Sequence, residues 1–223
     1  MFKLQRKVRV GWSKDFAYAI GLITSDGCLS KDQRHFYFAS ADLELINNLK
    51  QALSLSNKLI KNIRGQKPRK EYFAISFGDK VFYKFLNKIG LTSKKSRTIK
   101  SVKVPPGYFP DFLRGLFDGD GTFYTFWDRR WPNSFGYQIS FASASSNFIK
   151  WLKNILSKNY GVKGFIRKGD GVFNLRYVKG DSRKLFSAMY SNNKILFLKR
   201  KYTKMTNAFE QDKKLSLLRK MPD

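Results

Sequence analysis

The sequence predicts an α+β protein made of one unit used twice, each copy an αββαββα order with an antiparallel sheet. Three observations predict it. Gly21-Leu22-Ile23-Thr24-Ser25-Asp26-Gly27 recurs as Gly115-Leu116-Phe117-Asp118-Gly119-Asp120-Gly121, with Gly, Leu, Asp and Gly identical at an offset of 94. Phe38-Ala39-Ser40-Ala41 recurs as Phe141-Ala142-Ser143-Ala144 at an offset of 103. Around both pairs, helical and strand-like periodicities follow one another in the same order.

The elements follow from local signals. Ser13 is placed to N-cap a helix running to Ser25, and Pro110 suits the first turn of its counterpart running to Gly119. Strand-rich stretches follow each Asp-Gly, at 28–31 with 34–40 and at 122–127 with 135–143. The nine-residue growth in offset falls here, and Trp127 to Asn133 reads as a longer hairpin loop. Asp42 precedes a helix carrying Leu43, Ile46, Leu49 and Leu53; Ser146 precedes Phe148, Ile149, Leu152, Ile155 and Leu156 at helical spacing. A second strand pair follows at 59–64 with 71–77, and at 162–167 with 172–178. Helices after Asp79 and Asp181 close the units. The expected boundaries are residues 1–104 and 105–223, with a linker over about 94–109 broken by Pro105-Pro106-Gly107 and a helical tail at the C-terminus.

The chain has 44 Lys+Arg against 16 Asp+Glu, a formal charge of +28 on 223 residues. The surplus is spread evenly, +15 over residues 1–110 and +13 over 111–223. Such a surplus suits a polyanion, nucleic acid first, because each phosphate neutralised releases condensed counterions. A paired-carboxylate glycosidase is disfavoured, since an uncharged sugar gives no reason for the charge. One cysteine, Cys28, excludes an internal disulfide, and one histidine, His35, excludes a multi-histidine metal site. No apolar run reaches the roughly 18 residues of a membrane span and no secretory signal is visible, so an intracellular, reducing compartment, cytoplasm or organelle, is expected.

Each motif helix carries small residues on its buried-looking face, Ala17 and Gly21 in one and Gly115 in the other, which would let the two pack closely. Their C-terminal ends would then bring Asp26 and Asp120 together. A carboxylate at a helix C-terminus is opposed by the macrodipole, and two of them call for a compensating cation. Hard oxygen donors at an open site suit Mg²⁺. The plainer alternative is that each Asp-Gly only forms a helix-to-strand turn, an explanation that weakens when the feature occurs twice on a +28 chain.

The segments 19–27 (Ala-Ile-Gly-Leu-Ile-Thr-Ser-Asp-Gly) and 113–121 (Leu-Arg-Gly-Leu-Phe-Asp-Gly-Asp-Gly) resemble the two signature motifs of the LAGLIDADG homing endonucleases, in the monomeric form that carries both. The second copy is close to the consensus; the first departs from it at Ala19 and Thr24-Ser25. The resemblance covers nearly the whole chain. It implies paired sheets forming a DNA-binding saddle, and a metal-dependent endonuclease cutting both strands of a long asymmetric double-stranded target. It implies Asp26 and Asp120 as metal ligands, helped by the carbonyls of Ser25 and Gly119, with Mg²⁺ as cofactor and Mn²⁺ or Ca²⁺ able to replace it for binding.

From the same resemblance, a lysine after the last helix of each repeat matches Lys94 and Lys199, either at the catalytic centre or on the phosphate backbone. Ser40 and Ser143 stand where relatives carry a water-positioning polar residue, although serine is short for the role. Basic hairpin segments form two candidate DNA-gripping arms: Lys61, Arg64, Lys67, Arg69 and Lys70 in the first unit, Lys163, Arg167, Lys168 and Arg176 in the second. Arg34, Arg129 and Arg130 extend them. Tyr72, Tyr124, Tyr137 and Phe173 either touch bases or pack the hairpins. No intein splicing blocks are evident, so a free-standing or intron-encoded enzyme is expected. The alternative is a non-cleaving nucleic-acid binder, an intron RNA maturase or a DNA-binding regulator.

Overall fold

The computed structural model of the chain describes residues 6–64, 70–129, 131–191 and 195–218. Among the described residues there are eight α-helices and eight strands, the strands forming two four-stranded antiparallel sheets with helices packed on one face of each. The first unit runs α1 (Lys14–Asp26), β1 (Gly27–Leu29), β2 (His35–Ser40), α2 (Leu43–Ala52), β3 (Ile60–Arg64), β4 (Lys70–Gly78) and α3 (Lys80–Ile89). The short α4 (Lys95–Thr98) and a 3-10 turn at Pro106–Tyr108 lead into the second. It runs α5 (Phe109–Asp120), β5 (Gly121–Asp128), β6 (Trp131–Ser143), α6 (Ser146–Tyr160), β7 (Phe165–Lys168), β8 (Phe173–Val178) and α7 (Lys179–Met189), followed by α8 (Lys199–Leu218). The sheet orders β1-β2-β4-β3 and β5-β6-β8-β7 are identical in kind, so the duplicated αββαββα fold expected from the sequence is the fold observed.

The helix starts obey their caps. Ser13 Oγ accepts from Phe16 N at 3.1 Å and begins α1. Asp79, only 2% exposed, begins α3 with Oδ1 accepting from Val81 N and Phe82 N, while Oδ2 accepts from Lys7 N and Val8 N and ties down the N-terminal segment. Two expectations are corrected. Helix α7 begins at Lys179, two residues before Asp181, whose carboxylate accepts from Lys163 N instead of capping the helix. The insertion at 127–133 lengthens strands β5 and β6, which remain paired out to Asp128 and Trp131 across a register shift, so it is not a longer loop.

Helices α1 and α5 pack against each other more extensively than any other pair of helices. A Cβ on Gly21 would lie 2.2 Å from Phe112 O, and one on Gly115 would lie 2.0 Å from Tyr18 O. The two backbones are therefore in direct contact, which only glycine permits. One continuous apolar core surrounds this crossing, from Phe16, Ile20 and Phe38 in the first unit to Phe112, Phe141 and Leu175 in the second. Among the described residues no helix is long and apolar enough to cross a membrane.

Candidate functional site

The glycine-mediated crossing decides where the motif ends fall. Running side by side, α1 and α5 both stop at an Asp-Gly step, and a Cβ on Gly119 would lie 1.8 Å from Ser25 Oγ and 2.9 Å from Asp26 Oδ2. Asp26 and Asp120 thus share one patch at the two helix C-termini. Asp26 is half-buried, and its pKa rises to about 6, first because burial disfavours its charge and second because Asp120 repels it. Asp120 reaches solvent, yet desolvation raises its pKa as well.

Two buried lysines reach the same helix ends from elements later in each unit. Lys95, the first residue of α4, donates from Nζ to Thr24 O at 2.8 Å and Ser25 O at 3.0 Å. Lys201, in the first turn of α8, donates to the carbonyls of Phe117, Asp118, Gly119 and Gly121 at 2.6, 2.9, 3.1 and 2.5 Å. Those of Thr24, Ser25, Asp118 and Gly119 are among the carbonyls a helix C-terminus leaves without intrahelical partners, and ammonium groups answer both the missing hydrogen bonds and the negative end of the dipole. Burial lowers both lysine pKa values, that of Lys201 to about 8, while the neighbouring carboxylates oppose the shift. The lysines at the centre are therefore not Lys94 and Lys199, which are exposed. Lys94 N-caps α4 through its backbone only, and Lys199 N donates to Glu44 at 3.3 Å.

Asp118, the first acid of the second motif, is fully buried and forms no part of this surface. Its Oδ2 accepts from Tyr18 Oη and from Leu198 N, each at 2.8 Å. Asn48 Nδ2 donates to Tyr18 Oη and to Phe197 O, so the cluster ties α1, α2 and α5 to the segment entering α8. Arg114 completes it. Its guanidinium lies over the Tyr18 ring, pairs with Asp111 at 2.8 Å, and donates to Met189 O and Leu196 O. Burial raises the Asp118 pKa to about 6, against the lowering effect of the Tyr18 hydrogen bond and of Lys201. In the first unit Thr24 stands at this position and turns its hydroxyl back onto Ile20 O at 2.7 Å.

The serines serve another purpose. Ser40 Oγ accepts from Asp42 N at 3.0 Å, and Ser143 Oγ accepts from Ser145 N at 3.1 Å. Each hydroxyl shapes the turn that starts α2 or α6, and neither hydrogen-bonds Asp26 or Asp120. Strand alternation divides the basic residues. Lys61 pairs in register with Phe73, a residue packed on the core, and bridges to Glu71 at 3.1 Å, so it lies on the helix-covered side of its sheet. Lys168 likewise pairs with Phe173. Arg167 and Arg176 fall on the open face, Arg167 opposite Asn174 and Arg176 opposite Ser140. Arg34 is exposed at the β1–β2 turn, Arg129 at the β5–β6 turn, and Lys163 just before β7. Arg64 and Lys70 face each other in the backbone register at the end of β3 and β4. Lys67, Arg69 and Arg130 lie outside the described residues. Tyr137 is core, donating to Asp212 at 3.1 Å, whereas Tyr124 is half-buried on the open face.

The LAGLIDADG-like domain family matches residues 13–90 and 111–189, which together make up most of the chain and cover both repeats. The chain belongs to that family. Its fold is similar to that of the homing endonuclease I-WcaI bound to its DNA recognition sequence, with 13% identity over 86% of both chains and a TM-score of 0.64. It is also similar to I-GzeII in complex with a DNA target, at 12% identity over 93% of this chain and 92% of that one, TM-score 0.59. Full-length DUF199/WhiA from Thermatoga maritima matches over 98% of this chain at 15% identity and a TM-score of 0.60. This chain spans 66% of that protein's length. No curated protein matches the sequence.

Proposed function

We infer that the chain is a site-specific homing endonuclease that hydrolyses both strands of a long, asymmetric double-stranded DNA target. The observation that carries the reading is the junction of Asp26 and Asp120, two mutually repelling carboxylates at adjoining helix C-termini on a protein of charge +28. Their chemistry fits Mg²⁺, which takes hard oxygen donors and binds through one or two carboxylates together with waters and substrate phosphates. Asp26 and Asp120 would hold it, with Ser25 O and Gly119 O the adjacent carbonyls. A divalent metal supplies an activated water and charge stabilisation at the scissile phosphate. Lys95 and Lys201 anchor the two helix ends and add positive field where phosphate would dock. Arg167 and Arg176 on the open sheet face are candidate DNA contacts, joined by the exposed Arg34, Arg129 and Lys163.

Both motifs lie on one chain, which supports a monomer with two unlike half-sites, units 1–104 and 105–223, and an intron-encoded or free-standing origin. The test is incubation of a plasmid carrying the candidate insertion site with Mg²⁺, which should give linear product. Mn²⁺ should replace Mg²⁺, and Ca²⁺ should support binding.

One observation favours a second reading, a nucleic-acid binder without cleavage. The lysine ammonium groups already occupy the carbonyls of Ser25 and Gly119, so the helix ends are partly compensated without a metal. Tight binding with no cut at any Mg²⁺ concentration would select that reading, and binding to intron RNA would then point to a maturase.

A further inference from the structure

The two open sheet faces are unequal. In the second sheet, β6 and β8 place Gln138 opposite Val178 and Ser140 opposite Arg176, all on the face turned away from the helices. Gln138 is 5% exposed, and its Nε2 has no hydrogen-bond partner; Arg176 is half-buried, and its Nε is shielded from solvent and unpartnered. Beside the exposed Thr122 and Arg167, three exposed side chains around them are apolar: Phe126 at 40%, Phe165 at 38% and Val178 at 42%. Unpaired polar groups shielded from solvent beside exposed apolar ones depart from the usual order of a solvated sheet face. Equivalent positions in the first sheet, related through the Phe38 and Phe141 alignment, carry His35 for Gln138 and Ser76 for Arg176. His35 Nδ1 is held by Asp32, and the serine is too short to reach far from the sheet.

We propose that base-specific recognition is concentrated in the half-site under the second sheet, with Arg176 reading guanine and Gln138 reading an adenine within two base pairs of it. This rests on the DNA-target reading above. Arg offers paired donors matching guanine O6 and N7, and Gln offers a donor and an acceptor matching adenine N6 and N7 in the major groove. Diagonal neighbours on adjacent strands stand about 7 Å apart, the span of about two base steps of 3.4 Å. Phe126, Phe165 and Val178 suit thymine methyl groups beside them. An unpaired buried amide and guanidinium nitrogen are costly in the free protein, and base edges would relieve that cost once the rim side chains part.

The test is selection from a randomised duplex pool with the full chain in EDTA, followed by competition binding. The wild type should enrich a consensus with more invariant positions in one half than in the other. Arg176→Ala should relax one G in that half and Gln138→Ala one A within two base pairs, each weakening consensus binding roughly 10- to 100-fold. Arg176→Lys, which keeps the charge, should still lose the G preference, and Gln138→Glu should shift the A preference towards C. Thermal melting of the four variants checks folding independently of binding. A wild-type consensus that all four variants reproduce unchanged would overturn the assignment while leaving the DNA-target reading intact. Failure of the wild type to enrich any consensus would overturn both.

Discussion

The Lys201 ammonium lies 3.1 Å from the main-chain oxygen of Gly119, one residue before Asp120, and Lys95 stands 3.0 Å from the oxygen of Ser25, one residue before Asp26. Each motif helix therefore ends on a carbonyl held by a buried lysine and on a carboxylate, half-buried at Asp26 and exposed at Asp120. The lysines compensate the helix dipoles without neutralising the carboxylates, since Asp26 still has its pKa raised to about 6. A bound cation would answer the remaining repulsion.

Replacing Lys201 by Met should cost about 2–3 kcal/mol of folding stability, because four carbonyl contacts of a buried cation are lost, and should impair DNA cleavage. Lys94→Ala and Lys199→Ala, both at exposed side chains, should shift stability by less than about 0.5 kcal/mol. Urea denaturation of the three variants measures this. Equal effects at Lys199 and Lys201 would contradict the assignment of the site lysine.

Gly115→Ala should destabilise by about 3 kcal/mol, at the upper end for overpacking, because the added methyl meets the backbone oxygen of Tyr18. Gly161→Ala meets no atom within 4 Å, although its positive φ of 62° adds some strain, and should cost about 1 kcal/mol. Denaturant midpoints that fall equally in both would show that the helices can separate to accept a side chain.

Asp118 gives a pH signature. Its pKa rises from 3.8 unfolded to about 6 folded, so the folded state favours its protonated form. That contribution is fully present below pH 3.8 and is lost as pH rises through about 6. Asp118→Asn, which cannot ionise, should gain on the wild type by on the order of 2 kcal/mol between pH 4 and pH 7.5. Parallel stability curves for the two proteins would mean that Asp118 titrates in the folded protein as it does in the unfolded chain.

Much of this was legible in the sequence, because the fold is written twice. The repeated Gly-Leu…Asp-Gly and Phe-Ala-Ser-Ala segments marked the duplicated order, and small residues at Gly21 and Gly115 marked the helix crossing. Finer choices turned on helix phase. Lys94 and Lys95 are adjacent in a basic run, and only the start of α4 at Lys95 decides which one turns inward. Lys201 is reached only when α8 begins at Lys199. Ser40 and Ser143 followed a positional match, but the hydroxyls are consumed by the turns into α2 and α6. Lys61 was assigned by charge, whereas period-two alternation puts it beside Phe73. The burial of Asp118 and Arg114 carries no local signal, because it depends on partners 75 to 100 residues away in sequence.

The most direct measurement is the linearised fraction of a target-bearing supercoiled plasmid, with and without Mg²⁺, for the wild type, Asp26→Asn and Asp120→Asn. The account predicts linear product only for the wild type with Mg²⁺, and target binding in EDTA by all three proteins. Full double-strand cutting by either variant, or by the wild type in EDTA, would contradict it.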